Sequence, residues 1–189
     1  RDFINGEVDH DSERDKAKMV MEKKVLVDLE LYVSELMYDI ENYAFIEGDI
    51  MKPQDEHDRH MVMDIGQAGN IDRVKRVLDI AYAECVEFLF PFTKEQADDE
   101  AILTNVKDDP SAAYRIKMRL PWTISKTTID FLKKLLHEYM VCRVLSDWFG
   151  ITNINVRNMW LERMEDAKQA IRRILTHRRT QVRLKQNPF

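Results

Sequence analysis

The sequence predicts a mainly α-helical protein: a bundle of about four to five helices, a small strand or hairpin element around residues 112–120, and extended terminal arms. Three observations carry this. Apolar residues recur at spacings of three and four along several long stretches, the period of one helix face. Charged residues make up 33% of the chain against 44% hydrophobic, a balance that suits amphipathic helices with solvated outer faces around a real core. Only five glycines and five prolines occur in 189 residues, fewer than a β-sandwich or a glycine-rich nucleotide-binding fold needs for its turns.

Residues 1–24 are polar and mixed in charge, and read as an arm that is disordered or ordered only on a partner. Val25-Leu26-Val27 suits a short strand. From Asp28 the pattern turns helical, with Leu29, Val33, Leu36, Ile40 and Tyr43 on one face, Asp28 as cap and Gly48 as stop. A short helix is expected in the second half of 51–64, ending near Gly66 and Gly69. Asn70 is then the predicted cap of a regular helix whose face runs Ile71, Val74, Val77, Leu78, Ala81, Cys85, Phe88 and Leu89, with Pro91 ending it.

Residues 94–111 are polar and acidic and read as a loop. The period then switches: Tyr114, Ile116, Met118 and Leu120 alternate with Arg115, Lys117 and Arg119, a half-buried strand closed by Pro121. Ser125 caps a long helix through Ile129, Leu132, Leu136, Tyr139, Met140, Val144 and Trp148, stopped at Gly150; Asn155 caps the last helix. Trp122 is expected to anchor the strand-to-helix turn in the core, and Trp148 and Trp160 to pack across one seam. The organisation is thus a flexible arm over 1–24, a helical domain over 25–177 and a basic tail over 178–189.

No apolar stretch approaches the roughly 20 residues needed to span a bilayer, so no membrane contact is expected. Cys85 and Cys142 fall on apolar helix faces and read as free core thiols. His57 and His60 lie three apart among Asp55, Glu56 and Asp58. A hydrolase centred on them would need further ligands at metal spacing, which are missing, so a solvated charged segment is the better reading. His137-Glu138 starts like a zinc-protease helix, but the second histidine position is Val141. There is no Gly-x-Ser-x-Gly, no phosphate loop and no cysteine in an activating context. The expectation is therefore a non-enzymatic chain with no cofactor, no metal and no catalytic residue.

The formal net charge of −5 is unevenly spread. Glu95, Asp98, Asp99, Glu100, Asp108 and Asp109 form an acidic region; after Asp166 there is no acid, while Arg172, Arg173, Arg178, Arg179, Arg183 and Lys185 follow. Such polarity suits docking to an anionic partner or head-to-tail contact between identical subunits. The ending Pro188-Phe189 suits insertion into a neighbour. A helical DNA-binding or regulatory protein is the alternative, with the basic residues neutralising phosphates. No recognition-helix pattern or zinc module accompanies them, so a protein contact is preferred.

The order of parts, with the stretches Asn70-Ile71-Asp72-Arg73-Val74, His137-Glu138-Tyr139 and Asp147-Trp148 and the Arg-rich Pro-Phe end, resembles the small helical head–tail adaptor (connector, neck) proteins of tailed bacteriophages, in particular phages and prophages of Bacteroides-type bacteria. The resemblance spans residues 28–189. It implies a virion structural protein, assembled in the host cytoplasm, that forms a ring of identical subunits beneath the portal protein in the path of the genome. It also implies a further neck or tail component below the ring and a C-terminal segment that docks on the portal, which would give Arg172 to Phe189 a role. Non-specific contact with packaged DNA is compatible with this position. The longer N-terminal arm and the 94–111 loop depart from the smaller adaptors.

Overall fold

In a computed structural model the described residues are 24–51, 56–90, 92–94 and 112–176. They form five helices and one two-stranded antiparallel sheet. In chain order these are β1 (Lys24–Tyr32), α1 (Val33–Ile50), α2 (Glu56–Met63), α3 (Ala68–Phe88), β2 (Ala113–Pro121), α4 (Lys126–Thr152) and α5 (Ile154–Thr176). A single 3₁₀ turn, Asp64–Gly66, joins α2 to α3.

The helix expected from Asp28 begins only at Val33, because Asp28 to Tyr32 continue the strand. β1 pairs with β2 in the register Leu29↔Ile116. Leu29 and Leu31 of β1 and Ile116, Met118 and Leu120 of β2 all point into the core. The opposite face is charged and complementary across the strands: Asp28 lies opposite Lys117, and Glu30 opposite Arg115, whose Nε is 3.0 Å from Glu30 Oε1. The outer edge of β2 is covered. Arg119 N donates to Phe92 O at 2.9 Å, and Tyr82 Oη of α3 donates to Arg115 O at 2.6 Å.

α4 is the axis of the molecule. Ser125 caps it as expected, its Oγ accepting from Thr128 N at 3.3 Å. From Tyr139 onward its buried residues point in every direction: Tyr139, Met140, Val141, Cys142, Val144, Leu145, Trp148 and Phe149. A helix apolar all round must be surrounded, and here α1, α2, α3 and α5 all pack on it. α4 runs past Gly150 to Thr152, and Asn153, not Asn155, marks the break before α5 turns back along it.

Two other expected boundary residues, the stop Gly48 and the cap Asn70, also fall inside helices. Gly48 is a buried residue within α1, where an added Cβ would lie 2.7 Å from Met63 Cγ; its lack of a side chain lets α2 lie close. Asn70 lies in the first turn of α3 and donates from Nδ2 to Asp64 O at 2.8 Å, tying that turn to the 3₁₀ segment. Trp122 is 49% exposed and is not a core anchor. Trp160 is buried against Phe149 and Tyr43, whereas Trp148 reaches α2, its Nε1 donating to Val62 O at 3.0 Å. The two tryptophans therefore serve different seams.

Candidate functional site

The stretches singled out in the sequence turn out to be the polar ties between helices. Arg73 of α3 donates to Asp147 Oδ2 of α4 through Nε at 3.1 Å and Nη2 at 2.8 Å. His137 Nε2 meets Asp39 Oδ2 of α1 at 2.7 Å, and Glu138 Oε1 accepts from Arg163 Nη2 of α5 at 2.7 Å. Tyr139 Oη donates to Glu84 Oε2 of α3 at 2.7 Å. Successive residues of α4 thus face three different neighbours, because each step rotates the side chain by about 100°.

Electrostatics at these ties follow burial. Desolvation, then the hydrogen bond to Glu84, push the Tyr139 hydroxyl well above its ordinary value. Burial pushes the Cys142 thiol up to about 12, with the Glu138 carboxylate adding to it, and burial raises Cys85 further still. Both free cysteines are therefore protonated near neutral pH, the opposite of an activated nucleophile. His57 and His60 sit on the exposed side of α2, with His60 Nε2 4.0 Å from Glu56 Oε1. Among the described residues no group of three or more His, Cys, Asp or Glu could hold a metal ion. No helix among them is long and apolar enough to cross a membrane.

Of the residues expected to dock a partner, Arg172 and Arg173 lie exposed on the last turns of α5. Arg178, Arg179, Arg183, Lys185, Pro188 and Phe189 lie outside the described residues, as do Glu95, Asp98, Asp99, Glu100, Asp108 and Asp109. The structure adds a surface that the sequence reading missed. α1 carries Glu35, Asp39, Glu41, Glu47 and Asp49 and no lysine or arginine. Its outer side exposes Tyr38 (70%), Phe45 (56%), Ile46 and Ile50. A shallow depression of about 440 Å³ opens at one end of this face, lined by Ser34, Glu35, Tyr38, Asp39 and His137. Tyr38 and Phe45, seven residues apart, give the one local signal: two aromatics on one side of a helix that carries five acids and no lysine or arginine.

A second opening lies on the other side of β1. Asp28, Leu29 and Glu30 form one wall and Ile129, Asp130 and Lys133 of α4 the other, enclosing about 320 Å³. Lys133 Nζ also sits 5.7 Å from the ring centre of Tyr32. One of these two surfaces is apolar and acidic, and the other runs along a strand edge. No family model, curated protein or solved structure matches the chain.

Proposed function

We propose that the chain is a head–tail adaptor, or connector, of a tailed bacteriophage: a virion structural protein forming a ring of identical subunits under the portal at the neck and contributing to the genome channel. The observation that carries the reading is the order of elements. The regular helix α3 is followed by a strand ending at Leu120-Pro121, then by the long α4 and the returning α5 with basic residues at its end. The stretches that bear the resemblance serve as ties holding this arrangement.

The exposed face of α1 supports assembly, since Tyr38, Phe45, Ile46 and Ile50 leave water only against another surface. In this reading the acidic region from Glu95 to Asp109 orients neighbours in the ring. The basic residues from Arg172 onward, with Pro188 and Phe189, dock on the portal and are ordered there. Deleting residues 180–189 is expected to leave the thermal unfolding of the helical domain in place while abolishing joining to purified portal. Electron microscopy of the mixture reads the outcome: ring density on the portal with the intact chain and bare portals with the deletion. Unimpaired rings with the deletion would sink the docking role, and an intact chain that stays monomeric beside the portal would sink the adaptor reading.

A further inference from the structure

The two edges of the sheet are treated differently. In an antiparallel ladder, alternate residues turn both backbone groups to the same side. Arg119 N and Arg115 O point away from β1, toward Phe92 and Tyr82. Their cross-strand partners Leu26 and Glu30, with Asp28 between them, therefore point their N–H and C=O groups away from β2. No hydrogen bond among the described residues uses those groups. The β1 edge is an open template facing the 320 Å³ groove against α4.

The chain itself contains a segment with the matching pattern. Residues 182–185 read Val-Arg-Leu-Lys, with Thr180-Gln181 before them and Gln186 after. This strict alternation of apolar and basic residues repeats that of β2, Arg115-Ile116-Lys117-Met118-Arg119-Leu120, which already pairs with β1. Placing Leu184 opposite Leu29 puts Arg183 and Lys185 opposite Asp28 and Glu30 in either strand direction. It also turns Leu184 to the side where Ile129 lines the groove. The acids of β1 would then lie between two basic rows. Pairing β1 with a second β1 would instead oppose acid to acid.

We infer that residues 180–186 of one copy add as a third strand to the open edge of β1 in a neighbouring copy. A neighbour's segment is favoured over the chain's own by the position of α5. On α4 the residues facing α5, namely Glu138, Cys142 and Phe149, lie about half a helical turn from Ile129 and Lys133, which face β1. The chain's own segment would have to pass around α4 within the three residues 177–179. Pairing over 182–185 leaves Arg178, Arg179, Pro188 and Phe189 on either side for a portal contact. The exchange itself needs only this chain and does not rest on the neck assignment.

The test uses two full-length versions of different mass, one carrying Glu30→Cys and the other Arg183→Cys or Lys185→Cys, mixed under mild oxidation. The native cysteines are buried and stay out of the reaction. A cross-linked heterodimer is expected from one of the two pairings, and which one forms gives the strand direction. Adding the proline that removes a ladder N–H, Lys185→Pro in the antiparallel pairing or Leu184→Pro in the parallel one, should cut its yield at least tenfold while the melting temperature stays in place. Absence of a cross-link from both pairings, or undiminished yield with the proline, overturns strand addition. A cross-link that forms only when both cysteines sit in one chain, at monomer mass, overturns exchange between copies. Neither result depends on whether rings form on the portal, so the two readings fail separately.

Discussion

α4 and α1 lie side by side, joined by His137 and Asp39, yet they use their apolar residues in opposite ways. Between Leu136 and Phe149 no residue of α4 is exposed, and its polar groups are tied to named partners. α1 buries Leu36, Ile40 and Ala44 along one stripe and leaves two aromatics and two isoleucines in water among five acids. The difference separates the part of the molecule that holds the fold from the part that is free to meet something else. Burial is concentrated in α4, and α1 carries the surface proposed for assembly.

Breaking the α4 side should cost most. Phe149 is fully buried and stacks on Trp160 with ring centres 6.1 Å apart. Phe149→Ala is expected to destabilise by about 3–5 kcal/mol in urea unfolding, and a loss under about 1 kcal/mol would contradict the central role given to α4. Tyr139→Phe keeps the ring against Phe88 but removes the hydroxyl from Glu84, with a smaller expected loss of about 1 kcal/mol. Phe45→Ala, on the exposed α1 face, should stay within about 0.5 kcal/mol in the same experiment. Its effect should appear in sedimentation at high concentration, as weaker self-association; unchanged association would remove α1 from the assembly surface.

The smallest effect concerns Glu47, the half-buried acid of α1. Burial pushes its carboxyl above the ordinary range, opposed by nearby Arg163. The folded chain therefore holds this proton more tightly than the unfolded chain does. Its contribution is fully present below the unfolded value and is lost as pH rises through the folded one. Glu47→Gln mimics the protonated form. Urea midpoints should match the parent at low pH and exceed it slightly above the carboxylate range; a gap constant with pH would rule the titration out. The indole N–H of Trp160, close enough to influence Glu47, is buried without a hydrogen-bond partner of good geometry among the described residues.

Most of the helices were legible because their information is local. The stripe Val74, Leu78, Ala81 and Cys85 and the Ser125 cap specify α3 and α4 without reference to the rest of the chain. β1 was only partly legible. Leu29, Val33, Leu36 and Ile40 satisfy a helical period as well as any true helix, while Leu29 and Leu31 also satisfy a strand period. What decides between them is β2, and no local window contains it. Gly150 and Gly48 misled for a related reason: one lies exposed before the turn to α5, and the other makes room for Met63. Trp122 showed that an aromatic beside a proline at an element's end need not point inward. The exposed face of α1 went unread because its acids were summed into the whole chain's charge and not taken with Tyr38 and Phe45.

The separation of β1 from β2 has a consequence for how the molecule is made. Pairs such as Tyr32↔Ala113 and Lys24↔Pro121 join positions roughly 80 to 100 residues apart. On a ribosome adding 5–20 residues per second, β1 would wait on the order of 4–20 s for its partner strand to be synthesised. Throughout that interval both of its edges are available to other nascent chains. Asp28 and Glu30, alternating with the leucines, place charge within the segment most prone to wrong pairing. On this view the acids of β1 guard the strand during translation before they serve it in the folded protein.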